Sequence, residues 1–194
     1  MFPKRVIKEI KEHGYKPGKP WFYVSGALTN LSKEERKKRK AFYEKIAKKI
    51  KEHGGFAYVP HWVTDPEKYP DVSPSEVYQV DKKAVLNAGS NGAVIAVVDK
   101  PSLGVGMEIE MAVREGVPVV LLHREGIRVS RLARGGPGTL EVKGKSVDSK
   151  IITVSYKDEE DAVNKIGMIA RKIIDEGNGT RVIDRIKEAF EEGN

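Results

Sequence analysis

The sequence predicts an α/β fold in which a parallel sheet carries helices on both faces. Short apolar runs rich in β-branched residues alternate along the chain with longer segments whose apolar residues recur at helical spacing. The run at residues 93–98, bounded by Gly92 and by a turn at residues 99–101, is typical of a fully buried central strand. Ligands of such sheets bind beyond the carboxyl ends of the strands, so a functional site is expected in the loops that follow them.

Five strands and six helices are predicted. The strands cover residues 21–25, 56–59, 93–98, 117–122 and 151–155. The helices cover residues 3–12, 33–53, 74–88, 107–115, 157–176 and 182–190. A capping box of Ser32 and Glu35 begins the second helix, and Ser73 with Pro74 begins the third. The inward face of the second helix carries Phe42, Tyr43, Ile46, Ala47 and Ile50.

The 194 residues are expected to form one domain with two appendages. These are an N-terminal helical extension at residues 1–19, a core domain at residues 20–176 and a C-terminal helix at residues 177–194. The absence of cysteine excludes disulfides, thiolate metal ligands and a cysteine nucleophile. No apolar stretch is long enough for a signal or membrane helix, so a cytoplasmic protein without membrane association is expected. Abundant Lys and Glu fit a heat-adapted source.

A net charge of +7 invites a nucleic-acid or phosphate ligand. Residues 33–51 account for all of it, with ten Lys or Arg against three Glu. Aromatic side chains do not interleave with these charges as they do in proteins that bind single strands. A solvated lysine face is therefore favoured over a nucleic-acid footprint, and no nucleic-acid partner is expected.

The segment at residues 101–110, PSLGVGMEIE, follows the central strand and is the most informative stretch of the chain. A loop with Gly104 and Gly106 followed by a helix start gathers free backbone N–H groups around an anion, and glycine lets a ligand approach the backbone closely. Ser102 adds a hydroxyl, and Glu108 is placed in the first helical turn, where the helix dipole favours its anion. The alternative is an ordinary strand–helix turn with an acid at the helix start.

Three further segments are noteworthy. The long loop at residues 60–73 carries His61 and Trp62, which either line a ligand pocket or only pack. Asp81 lies on the apolar face of the third helix, where an acid is either paired in the core or part of a site. Residues 134–141 resemble at first the GGxGT phosphate loop of the cytokinin-activating phosphoribohydrolases. No apolar helical period follows them, so a surface turn or hairpin is predicted.

Together, Tyr23-Val24-Ser25-Gly26, Asp81 and the segment from Pro101 to Glu108 resemble the nucleoside 2-deoxyribosyltransferase superfamily. Within it they are most similar to the 2′-deoxynucleoside 5′-phosphate N-hydrolases. The similarity runs from about residue 21 to about residue 134. It implies a flavodoxin-like, doubly wound five-stranded sheet, and a homodimer or larger homo-oligomer whose sites are shared between subunits. The chemistry that it implies needs no metal and no cofactor.

The resemblance assigns three catalytic residues. Glu108 matches the nucleophile, and Tyr23 matches a tyrosine that contacts the sugar and the nucleophile. Asp81 matches the second catalytic carboxylate, and its apolar helix face would raise its pKa enough for it to protonate a leaving base.

The resemblance also implies a phosphate subsite. Ser102 and Gly104 match phosphate-contacting positions, and Ser130 matches a serine that reaches the phosphate of a neighbouring subunit. The residues expected to bind substrate are Gly26, Thr29, His61, Trp62, Ser102, Gly104, Gly106 and Ser130.

Two positions depart from the hydrolases. Thr29 stands where they have Arg, and Met107 replaces a Tyr and is more like the transferases. Ser102 favours a nucleotide substrate, because the transferases tend to have an acid there that would repel a 5′-phosphate. The expected function is hydrolysis of the base–sugar bond of (2′-deoxy)nucleoside 5′-monophosphates through a covalent glycosyl-Glu108 intermediate. The alternatives are base exchange by a deoxyribosyltransferase and a non-catalytic nucleotide-binding protein.

Overall fold

The computed structural model describes residues 2–89, 91–134, 139–142, 145–148 and 151–175; of residues 139–142 and 145–148 it describes the backbone. The predicted helix at residues 182–190 lies outside the described residues, as does the whole segment 177–194. The division of the chain into an extension, a core domain and a C-terminal helix therefore stays a prediction.

A five-stranded sheet with all neighbouring strands parallel forms the centre of the protein. The strands of the molecule are β1 Trp21–Gly26, β2 Phe56–Tyr58, β3 Ala93–Val97, β4 Val119–Arg124, β5 Thr139–Val142, β6 Lys145–Asp148 and β7 Ile151–Tyr156. The central sheet has the order β2-β1-β3-β4-β7, while β5 and β6 form a separate antiparallel hairpin. Without that hairpin, the order is the 2-1-3-4-5 of flavodoxin-like sheets. The predicted fold class is confirmed. Of the segment 134–141, residues 139–141 belong to the hairpin, while residues 135–138, which carry its glycines, lie outside the described residues.

Seven helices connect the described strands or flank them. They are α1 Lys4–Glu12, α2 Lys33–Glu52, α3 His61–Thr64, α4 Pro74–Asn87, α5 Leu103–Arg114, α6 Arg131–Arg134 and α7 Glu159–Asp175. Both bonds of the predicted capping box are present, between Ser32 and Glu35, at the start of α2. None of the described helices is both long and apolar enough to span a bilayer.

The two faces of the sheet are covered by different helices. On one face, Phe22 and Val24 of β1 pack with α2 and α7. On the other, Tyr23 packs with α1, α4 and α5. Alternate residues of a strand point to opposite faces, so β1 contributes to both cores. The five residues predicted to face inward from α2 are all buried: Phe42, Tyr43, Ile46, Ala47 and Ile50.

The start of α5 differs from the prediction. The two glycines do not form a loop before the helix, because α5 begins at Leu103 and includes both Gly104 and Gly106. Ser102 is its N-cap, and its Oγ accepts a hydrogen bond from the N–H of Val105 at 3.4 Å. This cap and the burial of the apolar face of the helix offset the cost of glycine, about 1 kcal/mol per residue in a helix interior. Glu108 is consequently in the second turn of the helix, and the prediction of the first turn was wrong.

The connection between β2 and α4 also contains a feature that the sequence pattern missed. It was predicted as a continuous loop, but its first residues form the short helix α3. Thr64 completes that turn by donating its hydroxyl hydrogen to the carbonyl of Pro60 at 2.8 Å. A single turn of four residues is too short to show an apolar period in a sequence.

Candidate active site

A cavity of about 420 Å³ opens at the carboxyl ends of β1 and β2, beside the start of α5. This is the edge of the sheet where the order of the strands predicts a ligand site. Its volume falls in the range of small-molecule sites. Of the residues predicted to bind substrate, the cavity is lined by Gly26, Thr29, His61, Ser102 and Gly104, and Glu108 also lines it.

The carboxylate of Glu108 is held by two hydroxyl groups of β1. Tyr23 donates from its phenol to Oε1 at 2.6 Å, and Ser25 donates to Oε2. The two donors are two residues apart on one strand and therefore face the same helix. The predicted contact between Tyr23 and Glu108 is thus present, while Ser25 is not among the residues that the sequence predicts for the site. A carboxylate with both oxygens bound is fixed in orientation, as a nucleophile must be.

Burial raises the pKa of Glu108, and the hydrogen bonds from Ser25 and Tyr23 oppose that shift by stabilising the anion. The sequence predicted a different balance, in which the helix dipole favours the anion. The dipole acts within the first turn, and Glu108 lies beyond it. The hydroxyl groups of Tyr23 and Ser25 stabilise the anion of Glu108, which is the role that the sequence prediction gave to the helix dipole.

Asp81 of α4 forms a parallel arrangement with a second tyrosine. Tyr58 of β2 donates its phenol hydrogen to Oδ1 of Asp81 at 3.0 Å. The rings of Tyr58 and Tyr23 stack with centroids 5.5 Å apart, and the two residues are direct partners in the β1–β2 pairing. Each of two adjacent tyrosines therefore holds one of two carboxylates. Asp81 itself is not among the residues that line the cavity.

Burial raises the pKa of Asp81 to about 7, with a further contribution from the charge of Glu108. The hydrogen bond from Tyr58 acts in the opposite direction. This raised pKa agrees with the sequence prediction. Near neutral pH, Asp81 can therefore hold a proton beside a second buried carboxylate whose charge favours that protonation.

The raised pKa of Asp81 predicts that the stability of the folded protein depends on pH. The folded protein holds this proton up to about pH 7, against 3.8 for an ordinary Asp, so the free energy of unfolding falls as the pH rises through that window. At 1.36 kcal/mol per pKa unit the loss reaches at most about 4 kcal/mol. We expect uncharged Asp81→Asn to raise the free energy of unfolding by about 2 to 4 kcal/mol at pH 8 and to leave it nearly unchanged at pH 4. Urea unfolding at the two pH values measures this.

The control for this experiment is Asp71→Asn, which makes the same chemical change at an exposed position. A stabilisation of Asp81→Asn that is equal at pH 4 and pH 8 would contradict the raised pKa.

The predicted aromatic residues His61 and Trp62 have different positions. His61 is buried at the cavity wall, where its Nε2 lies 2.9 Å from Oε1 of Glu44. Its Nδ1 has no hydrogen-bond partner among the described residues. Trp62 stacks on His13 with ring centroids 3.7 Å apart and is not part of the cavity lining. Of the two roles left open, the structure gives Trp62 a packing role.

Two other predicted residues also lie away from this cavity. Gly106 is exposed, and a Cβ added to it would meet no atom within 4 Å. Ser130 lies in a separate surface depression together with Arg128, Arg131 and Arg134. Within one subunit, Ser130 therefore does not join the cavity.

The basic face of α2 was predicted to be solvated, and the structure corrects this for two residues. Arg36 and Lys40 line the cavity. The sequence alone does not place Arg36 and Lys40 at the cavity, because a lysine-rich helix face has the same residue spacing whether it contacts solvent or a ligand site. The only signal was their distance from Ser32, which puts them in the first two turns of a helix that begins at the edge of the site.

Comparisons with known proteins bear on the sequence and on the fold. No protein-family model matches the chain. A curated protein of Methanosarcina mazei, named "Putative 2'-deoxynucleoside 5'-phosphate N-hydrolase 1", is 33% identical over 89 residues, which are 46% of this chain and 55% of that protein. The chain thus spans about half the length of the curated relative that it matches.

Two solved structures are similar in fold. The CMP N-glycosidase of Clostridium botulinum has a TM-score of 0.52 at 20% identity, over 75% of this chain and 96% of that one. A conserved protein from Enterococcus faecalis V583 has a TM-score of 0.48 at 19% identity, over 77% of this chain and 98% of that one. The first likeness supports the α/β fold. The Methanosarcina relative separately bears out the predicted resemblance of this chain to the 2′-deoxynucleoside 5′-phosphate N-hydrolases.

Proposed function

We propose that the protein hydrolyses the base–sugar bond of (2′-deoxy)nucleoside 5′-monophosphates, with Glu108 as the nucleophile. The observation that carries the proposal is the pair of carboxylates held by adjacent tyrosines, Glu108 at the cavity and Asp81 with a pKa of about 7. The name of the Methanosarcina relative, a nucleoside 5′-phosphate N-hydrolase, supports the substrate class.

In the first half-reaction, an oxygen of Glu108 attacks C1′ of the sugar while the bond from C1′ to the base breaks. The transition state has oxocarbenium character, which the carboxylate stabilises. The departing base takes the bonding electrons and accepts the proton of Asp81 through a bridging water, because Asp81 does not itself line the cavity. The products are the free base and a glycosyl ester of Glu108.

In the second half-reaction, water attacks C1′ of the ester. Asp81, now ionised, takes a proton from this water, and Glu108 leaves as a carboxylate. Tyr23 and Ser25 orient Glu108 throughout, and their hydrogen bonds stabilise the carboxylate that forms when the ester breaks. The cycle ends with both acids in their starting protonation states.

A second subunit forms part of the proposal. The resemblance assigns Ser130 to the phosphate site of a neighbouring subunit, and in this structure Ser130 stands apart from the cavity of its own chain. Leu103 of α5 and Leu132 of α6 are each 91% exposed. Met107, one turn after Leu103 on the same helix, is also 52% exposed, and adjacent exposed apolar side chains are typical of an interface. This supports a homo-oligomer in which α5 and α6 contact another copy.

Base exchange is the second candidate function. Thr29 lines the cavity where the hydrolases have Arg, and Met107 is more like the transferases. In this reaction a free base, instead of water, attacks the glycosyl ester. The carboxylate pair serves both reactions equally well. It argues against a purely nucleotide-binding protein, because a second acid would weaken the binding of an anion.

The decisive assay follows base release from 2′-deoxynucleoside and ribonucleoside 5′-monophosphates and from the matching nucleosides, each with and without a free acceptor base. We expect base release from monophosphates at a higher kcat/KM than from nucleosides, without the need for an acceptor. Formation of new nucleoside only when an acceptor base is present would favour the transferase. Binding without any release of base would favour the nucleotide-binding protein.

A further inference from the structure

The first two turns of α2 are joined to the segment that precedes α5. Lys100 binds Oε1 of Glu35 at 2.7 Å, and Arg39 binds Oδ2 of Asp99 at 2.8 Å. These ion pairs bring the helix that carries Arg36 against the segment that carries Ser102. Arg36 and Ser102 both line the cavity as a result.

The cationic side chains near Arg36 and Ser102 differ in how strongly each is already bound to an acidic partner. Lys40 pairs with Asp65, and both side chains are largely buried. Arg39 is bound to Asp99, which is 7% exposed. Arg36 instead pairs through Nη1 with Glu67 at 2.9 Å, and Glu67 is 55% exposed. Exposed ion pairs contribute little to stability, so of Arg36 and Lys40, which both line the cavity, Arg36 has the partner that is more easily replaced.

The guanidinium of Arg36 is also incompletely hydrogen-bonded. Its Nε is buried and has no partner within the part of the chain that the structure describes. A buried donor without an acceptor destabilises the arrangement seen in the free protein. The planar fork of an arginine matches a phosphate in two places, so a phosphate at its Nη atoms would give the side chain additional acceptors.

Space for such a ligand exists between Arg36 and α5. A Cβ added to Gly104 would meet only Oγ of Ser102, at 3.8 Å. Thr29 and Asn30, which also line the cavity, are polar and carry no charge. The positive charge that would balance a dianion has to come from elsewhere in the lining.

We propose that Arg36 of α2 binds the 5′-phosphate of the substrate, and that the phosphate replaces Glu67 as its partner. This inference rests on the proposed function, since it names the residue that gives that site its preference for nucleotides. Arg36 takes the place of a charge that Thr29 lacks, and it comes from α2, a helix that carries none of the site residues predicted from the sequence.

The test measures the ratio of kcat/KM for a 2′-deoxynucleoside 5′-monophosphate to kcat/KM for the same nucleoside. A charge-assisted hydrogen bond contributes about 1.5 to 3 kcal/mol, so Arg36→Ala is expected to lower this ratio by about tenfold to a hundredfold. Arg36→Lys should recover part of it, because it restores the charge without the fork. The matched control is Lys38→Ala, which removes the same charge from the same helix at a position that is 74% exposed, and it should keep the wild-type ratio.

A binding measurement separates this inference from the proposed function. Calorimetry with 2-deoxyribose 5-phosphate, compared with 2-deoxyribose, reports on the phosphate contact without any chemistry. We expect Arg36→Ala to weaken binding of the sugar phosphate by the same factor and Lys38→Ala to leave it unchanged. If wild-type protein releases no base from any substrate, the proposed function fails, and this measurement still decides the role of Arg36. An unchanged ratio, an equal loss for nucleotide and nucleoside, or an Arg36→Ala protein that binds the sugar phosphate as wild type does would overturn the inference.

Discussion

Replacement of Glu108 by Gln is expected to reduce base release by about a thousandfold or more, the scale on which enzymes lose activity without their nucleophile. An amide cannot form the glycosyl ester at a useful rate, although it keeps the size and one acceptor oxygen of the carboxylate. Tyr23 and Ser25 can still donate to that oxygen one at a time, so the fold should be preserved. Steady-state base release, with circular dichroism to verify folding, measures this effect.

The same helix provides the control. Glu110 is exposed and pairs with Arg114 one turn later, so Glu110→Gln should keep wild-type turnover. Mass spectrometry of acid-quenched wild-type protein should find a sugar-phosphate adduct on the peptide that contains Glu108. Near wild-type turnover of Glu108→Gln, or an adduct on a different residue, would be incompatible with the proposed nucleophile.

Replacement of Asp81 by Asn is expected to slow base release by about a hundredfold to ten-thousandfold, the range for loss of a general acid. The loss should be largest for substrates whose base leaves poorly, because such a base depends most on protonation. In the wild type, kcat/KM should fall as the pH rises above about 7, since Asp81 loses its proton there. That alkaline limb should disappear in Asp81→Asn.

Rates measured with a series of bases of different leaving ability, at pH values from 5 to 9, test both expectations. Asp71→Asn again serves as the exposed control. A loss that is the same for good and poor leaving groups, with the alkaline limb unchanged, would mean that Asp81 orients the substrate and donates no proton.

Much of the fold could be predicted from the sequence because each element carries a local signal. The central strand is a run of β-branched residues between turn signals, and the inward face of α2 shows a regular apolar period. The start of α5 could not be placed in the same way. Glycine is a poor helix former, and the start of the helix before Gly104 becomes visible only in the structure, where Ser102 accepts hydrogen bonds from the N–H groups of Val105 and Gly106.

For the candidate site, the sequence predicted the two carboxylates and the contact of Tyr23 with Glu108, but it did not predict Ser25 or Tyr58. Those two residues act through partners that are distant in sequence: Ser25 is bound to Glu108, and Tyr58 to Asp81. The hydroxyl group of a buried tyrosine usually forms a hydrogen bond, but the neighbouring sequence does not show which acceptor it binds. The cavity contacts of Arg36 could not be predicted either, because the sequence of a charged helix face is the same whether that face contacts solvent or lines a site.

The contact of Gly26 with Tyr43 has a consequence for redesign of the substrate range. A Cβ at position 26 would lie 2.2 Å from the ring of Tyr43, and that ring lines the cavity and donates to the carbonyl of Ala27 at 3.2 Å. Any larger residue there would displace the ring and the backbone turn together. The wall of the cavity at Arg36 is different, because this long side chain has an exposed partner, Glu67. Libraries directed at that wall would therefore explore new substrates, whereas variation at the end of β1 would mainly yield misfolded protein.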